Sequence, residues 1–286
     1  MSRFAWICVP AGLVCAAASV WSALAPVSAG ESAIPNFAPD GSTGWVMDRS
    51  VSDDFLPPSS GPGPVTFDKA HPYVPNGRSE QASFRIADLG NPILKPWAVE
   101  QMRRANEDVL QGKFAFTSKS TCWPGSVPGI LLYQFEPVYI VQTPKIVWMI
   151  WEYDNQVRRV YLNQEHSKNP KPSWFGESVG HYEGDTLVVD TIGLAEHRFS
   201  FIDNYRTPHT DRLHVVERYR MINEGRTLEV DFAVDDQGAF NMTWSAKQRY
   251  SRVQQRPLIE TVCSENIPRY FNYDIPPIPE ADKPDF

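Results

Sequence analysis

The sequence predicts an all-β protein: an antiparallel barrel or sandwich with one N-terminal helix and a long extended N-terminal segment. Two observations carry this reading. From Pro137 onward, short apolar or alternating runs recur with turn signals between them and no helical pattern intervenes. Upstream, the clearest helical periodicity is that of Pro96–Gln111.

The chain of 286 residues opens on an export signal. Arg3 is the only charge before Glu31, an apolar run follows from Phe4 to Leu24, and Val27-Ser28-Ala29 is a small-residue cleavage pattern. Cleavage there leaves about 257 residues and takes the formal net charge from −7 to −8. That size suits one large all-β domain or two small ones. The acidic balance argues against nucleic acid and anionic membrane as partners. Four domain-level spans follow: a signal at 1–29, an extended segment at 30–92, a barrel domain with its leading helix at 93–272, and a proline-rich tail at 273–286.

Residues 30–92 are rich in Pro, Gly and Ser and hold scattered anchors such as Trp45, Val46, Met47, Phe55 and Phe67, so the segment is expected to wrap a core. In the helix, Pro96 sits at the first position and Gly112 just past the end, with Ala98, Met102, Ala105 and Val109 on one face. Lys145–Tyr153 is apolar at nearly every position and reads as a strand buried on both faces. Val157–Leu162 pairs with it across a turn at Asp154-Asn155. Thr186–Asp190, Arg212–Met221 and Thr227–Asp235 are further strands, the last two joined at Asn223-Glu224-Gly225. Two of the four cysteines leave with the signal, and Cys122 and Cys263 are expected to form a disulfide. It would close a loop of about 140 residues, worth roughly 4–5 kcal/mol in the chain-entropy model.

Three constellations could carry chemistry. Gly176-Glu177-Ser178-Val179-Gly180 matches the serine-hydrolase pattern G-x-S-x-G. A nucleophile elbow needs a strand before the serine and a helix after it. Here a strand, a turn at Glu183-Gly184-Asp185 and another strand surround Ser178, so the glycines read as turn and strand residues. Second, the six histidines of the mature chain form neither H-x-H nor H-E-x-x-H, so no metal is expected. Third, Glu217 falls on the apolar face of its strand with Leu213, Val215 and Tyr219. A buried carboxylate needs a partner or a raised pKa. Arg159, His181 or Tyr161 could supply that partner, and Asp190 raises the same question on its own strand. A structural Arg–Glu pair and a general base in a ligand cavity are the two readings.

The stretches Arg158–Tyr161, His166, Ser173–Gly180, Tyr182–Asp190, Pro208–Asp211, His214–Tyr219 and Glu260–Asn266, with Cys122 before Pro124-Gly125, together resemble a family of secreted bacterial β-proteins. The resemblance spans roughly residues 94–270 and implies a calycin- or lipocalin-like barrel. It implies no particular activity. Gly44 and Trp45 are adjacent, where a calycin would open with G-x-W.

The resulting expectation is a secreted, periplasmic barrel that holds a small, partly apolar molecule, aromatic or polycyclic. Cofactor-free acid–base chemistry of a lyase, isomerase, dehydratase or cyclase leads. Its catalytic candidates are Glu217, His181, Arg159, Asp190 and His209, and its binding candidates are Tyr161, His166, Trp174, Trp148 and Tyr219. No phosphate loop or dinucleotide fingerprint points to a cofactor. A non-catalytic binding or transport protein, a structural envelope protein and a serine esterase are the alternatives.

Overall fold

The computed structural model describes residues 34–48, 54–73, 85–113, 117–118, 121–133, 136–254 and 263, with the backbone of 269–270 and 273–274. These belong to one compact unit, Ala33–Phe286. The expected export signal, 1–29, and most of the expected proline-rich tail, 275–286, lie outside the described residues.

Nine strands close into a barrel in chain order. They are β1 (Thr43–Met47), β2 (Val138–Gln142), β3 (Ile146–Trp151), β4 (Gln156–Leu162), β5 (Glu177–Glu183), β6 (Thr186–Ile192), β7 (His214–Ile222), β8 (Thr227–Asp235) and β9 (Trp244–Gln254). β1 pairs with both β2 and β9 and so completes the ring. The wall therefore begins well before residue 93: a strand of the proline- and glycine-rich segment is built into it. A separate two-stranded pair joins β10 (Arg269–Tyr270) to β11 (Tyr273–Asp274).

An odd number of strands cannot alternate direction all the way round a closed ring, so one neighbouring pair must be parallel. That pair is β4 and β5, matched at Val160↔Ser178, Tyr161↔Val179 and Leu162↔Gly180. The chain therefore travels from one end of the barrel to the other between them. A seven-residue strand is roughly 23 Å long, and the 14 residues 163–176 span that distance with slack. This strap crosses the outer wall, where His166 meets the outward side chains of Glu177 and Asp190.

The two glycines of the G-x-S-x-G match are explained by this crossover. Gly176 has φ +60° as the strap turns into β5, and a Cβ there would lie 2.3 Å from the Ile192 carbonyl oxygen. A Cβ at Gly180 would lie 2.8 Å from both Val160 Cγ1 and the Val188 oxygen, where β4, β5 and β6 meet closely.

The barrel interior is filled. Trp45, Val160, Leu187, Val230, Trp244 and their inward neighbours are fully buried in one continuous core. A 3₁₀ turn, Gly129–Leu132, packs Ile130, Leu131 and Leu132 into that core, and the Tyr250 hydroxyl donates to the Leu131 carbonyl at 2.7 Å. β3 differs from the sequence reading. Only Val147, Met149 and Trp151 are buried, while Ile146, Trp148 and Ile150 face outward and are half-covered. A closed barrel has one dry face, so a strand of its wall can bury only alternate residues.

The single helix among the described residues, α1 (Pro96–Leu110), starts with Pro96 in its first turn and ends before Gly112 at φ +79°. Ala98, Met102 and Asn106 face the core. Asn106 replaces the expected Ala105 and Val109 because its amide is matched, accepting from Ala87 N–H and donating to Ala87 O at 2.9 Å each. The turns follow local chemistry: Asp154 and Asn155 join β3 to β4, and Asn223, Glu224 and Gly225 join β7 to β8, all with positive φ. Cys122 and Cys263 form a disulfide that links positions 141 residues apart.

Gly176→Ala is expected to lower stability by roughly 1–3 kcal/mol or more, because strain and a backbone clash coincide there. Gly112→Ala, with nothing within 4 Å of its Cβ, is expected to cost less. Urea denaturation of both variants checks the order, and equal losses would remove the crossover contact as the constraint.

Candidate functional site

Three polar clusters hold candidate residues: inside the barrel, on the outer wall beneath the strap, and in the loop between β6 and β7.

The interior group centres on Arg158. On β4 the inward residues are Gln156, Arg158, Val160 and Leu162, so Arg158, not the expected Arg159, meets Glu217. Both members of the pair have side chains with 0% exposure. Arg158 Nη1 donates to Glu217 Oε1 at 3.0 Å and Nη2 to Glu217 Oε2 at 2.5 Å. Its other donors reach Ser178 Oγ (3.1 Å), Thr191 Oγ1 (2.8 Å) and the Tyr219 hydroxyl (3.5 Å). All five guanidinium N–H groups thus have acceptors. Tyr219 donates in turn to Glu217 Oε1 at 2.8 Å. Burial works to lower the Arg158 pKa, but Glu217 beside it more than offsets this and holds the guanidinium above its usual range. Burial, with Glu217 adding to it, pushes the Tyr219 phenol far up. Ser178, the serine of G-x-S-x-G, is locked here between Arg158 and Thr191, and no histidine among the described residues bonds to it.

The remaining partners expected for Glu217 lie elsewhere. Arg159 is on the outer face, with its guanidinium 5.1 Å from the centre of the Trp148 ring. Tyr161 also alternates outward. His181 is exposed, 3.0 Å from Glu183 Oε1, and Arg218 donates to the other oxygen of that carboxylate. One residue of register separates Arg158 from Arg159, and both alternating sets of β4 hold apolar residues. The sharing of one face with Val160 and Leu162 was the available signal.

On the outer wall, Asp190 is the centre. His166 from the strap and His214 from β7 each place Nε2 2.9 Å from Asp190 Oδ1. His166 Nδ1 lies 3.1 Å from Glu177 Oε1. Asp190 and His166 were both expected at a site, whereas His214 and Glu177 were not. The hydrogen bond from His214 holds the Asp190 carboxyl below its usual range, and Asp190 raises His214 in return. Among the described residues, no group of three or more His, Cys, Asp and Glu side chains is arranged to hold a metal ion.

The third place is residues 193–213, 21 residues without a regular element between β6 and β7. Connections that long are uncommon in compact domains and usually functional. This one is ordered by buried polar groups. Ser200 Oγ lies 2.7 Å from His209 Nε2, and His209 Nδ1 lies 2.9 Å from the Thr210 carbonyl oxygen. The carbonyl can only accept, so Nδ1 carries the proton and Nε2 is the acceptor for the serine hydroxyl. Burial pushes the His209 pKa down, against the smaller opposing effect of that carbonyl, so the ring is held neutral. Thr210 is itself clamped by Asp236, which accepts from its N–H (2.6 Å) and from its hydroxyl (2.7 Å).

Beyond that pair the loop folds back on itself. Ile202 N–H donates to the Thr207 carbonyl at 2.9 Å, and Arg206 N–H to the Asp203 carbonyl at 3.2 Å. Asp203 accepts from Tyr205 N–H, Thr207 N–H and Thr207 Oγ1, and burial pushes its pKa up to about 6. The tip is tied down from outside the loop. The Tyr205 hydroxyl donates to Asp54 and Arg206 to the Arg85 carbonyl.

Beside this loop stands an aromatic group. Trp123 stacks on Trp174 with centroids 5.4 Å apart, His197 lies 4.9 Å from Trp174, and Phe199 5.8 Å from His197. Trp123 is 42% exposed. Trp174 was expected at a binding site, and sequence offered no reason to join it to Trp123, 51 positions away.

The fold is thus a nine-stranded β-barrel whose interior is closed by packing and whose long loops converge at one end. No protein-family model matches the chain, and neither a curated protein nor a solved structure matches it.

Removing one partner of the interior pair leaves a buried charge, so Arg158→Ala or Glu217→Ala is expected to cost about 3–5 kcal/mol. The double variant Arg158→Met/Glu217→Leu, which removes both charges, is expected to lie much nearer wild type. Urea denaturation of the three proteins tests this. On the outer wall, Asp190→Asn is expected to return the His214 pKa toward the ordinary imidazole range, read by NMR titration. An unchanged titration would show that Asp190 does not act on His214. The contribution of a raised histidine is present at low pH and fades as pH rises through its folded pKa. That of the lowered Asp190 fades as pH falls through its own. The pair therefore supports the wall only between the two.

Proposed function

We propose that this protein is an exported enzyme that performs acid–base chemistry on a small, partly aromatic molecule at the loop-bearing end of its barrel. One observation carries the reading: a neutral, desolvated imidazole, His209, whose tautomer is set by a backbone carbonyl and whose unprotonated nitrogen accepts from the Ser200 hydroxyl at 2.7 Å. A general base works best when its unprotonated form dominates at the operating pH. Here burial supplies that form. The Trp123, Trp174, His197 and Phe199 group adjoins the same loop and offers flat surface for an aromatic or polycyclic ligand. The apolar leader and the disulfide support export.

The acid–base role thereby moves from Glu217 to His209. Glu217 lies in a filled interior with both carboxylate oxygens engaged by Arg158, which leaves no room for a ligand beside it. The same filling argues against a ligand held inside the barrel. The half-exposed Trp123 also favours a second reading, in which the platform binds its ligand without turnover.

Small aromatic compounds can be screened by quenching of tryptophan fluorescence, and the compounds that bind can then be followed for turnover by NMR. His209→Gln is expected to reduce turnover about 10²- to 10⁴-fold while binding persists. A lowered His209 pKa means the base form survives further into acid. The acid limb of kcat/KM is therefore expected below about pH 6.5, the ordinary imidazole value. Equal turnover by wild type and His209→Gln would remove His209 from the mechanism. Binding with no turnover by wild type would leave the non-catalytic reading.

A further inference from the structure

We propose that Ser200 is a nucleophile activated by His209, and that the site cleaves carboxylic esters bearing a small aromatic or apolar group. The proposal deepens the reading above and rests on it. G-x-S-x-G directed attention to Ser178, which is consumed by the interior network. The barrel end instead places a serine and a histidine nine residues apart in one loop at hydrogen-bonding distance.

Ser200 and His209 are each 3% exposed, so an ester reaches them only when the loop opens. Given that opening, four observations support a nucleophile rather than a chance contact. The hydroxyl donates to the lone pair of a neutral imidazole, the direction that general-base activation requires. The imidazole is oriented from its far side by Thr210, and Thr210 by Asp236, so the base is held by successive layers of hydrogen bonds. The N–H of Phe201, the residue directly after Ser200, makes no hydrogen bond among the described residues, and an N–H in that position serves as an oxyanion donor in serine hydrolases. Phe199, on the other side of Ser200, belongs to the aromatic platform.

The steps balance without a co-reactant other than water. Ser200 Oγ forms a bond to the ester carbonyl carbon as its proton passes to His209 Nε2. The carbonyl becomes a tetrahedral oxyanion, which collapses and breaks the bond to the alcohol oxygen. His209 returns the proton to that oxygen, and the alcohol leaves an acyl-serine. Water then gives a proton to His209 and attacks the acyl carbon. Collapse of the second oxyanion releases the carboxylic acid and restores the Ser200 hydroxyl.

The full chain is treated with a fluorophosphonate reporter, and the adduct is located by peptide mass spectrometry. 4-Nitrophenyl butyrate and 4-nitrophenyl benzoate are assayed in parallel. One adduct per chain on Ser200 is expected, with labelling slowed at least 10²-fold in His209→Gln. Ser200→Ala is expected to lose ester hydrolysis by a similar factor, with its fold checked by near-ultraviolet circular dichroism. Labelling of wild type is the primary readout, so a variant that fails to fold does not decide the question. No adduct on Ser200 of the wild-type protein overturns the nucleophile. If His209-dependent turnover of another compound is then found, the acid–base reading stands alone, and if none is found both fall. An adduct on a different serine also overturns the assignment.

Discussion

The barrel is organised around one fully buried ion pair. Arg158 on β4 reaches across to Glu217 on β7, and its remaining donors engage Ser178 on β5, Thr191 on β6 and Tyr219 on β7. Four consecutive strands, including the one parallel pair, are thereby tied to a single guanidinium. A one-residue slip of any of them would turn its polar contributor to the outer face. Ionic groups this deep cost several kcal/mol each to desolvate, and only complete hydrogen bonding offsets that cost. The completeness of the set around Arg158 is consistent with a role in specifying register.

A closed and filled barrel has consequences for where function can sit. Its strands have no free edges and its interior has no room, so the variable chemistry falls to the segments that join strands. The loop after β6 is the longest connection within the β2–β9 part of the wall, and it is densely hydrogen-bonded. Ser200 and His209 form one rung, Ile202 and Thr207 the next, and Asp203 through Arg206 the turn. Buried polar groups take the place of a β-ladder there. The low dielectric that makes unpaired polar groups costly also lowers the pKa of His209, so the burial that orders the loop also favours its neutral imidazole.

Much of the wall was legible in sequence. Thr227–Asp235 alternates apolar and charged residues over nine positions, and its strand has those bounds. The turns at Asp154-Asn155 and Asn223–Gly225 announce themselves because few residues tolerate a left-handed backbone. β9 was not legible. Its inward set, Trp244, Ala246, Gln248 and Tyr250, includes an amide, and its outward set is mixed. β1 was hidden in a segment whose composition reads as irregular. The choice of Arg158 over Arg159 was equally hidden, since adjacent residues of one type differ only in the face they occupy.

The sequence by itself determined the all-β class, the position of the helix, most strand-and-turn boundaries and the pairing of Cys122 with Cys263. These depend on local backbone preference, on apolar period and on a count of two thiols outside the apolar leader. Only the tertiary structure decided the closure of the barrel through β1, the parallel pair with its strap, the partner of Glu217, and the meetings of Ser200 with His209 and of Trp123 with Trp174. Each of these joins residues whose separation along the chain carries no period. The contacts exist because nine twisted strands close a ring and bring their loops to a common end, and no local pattern encodes that closure.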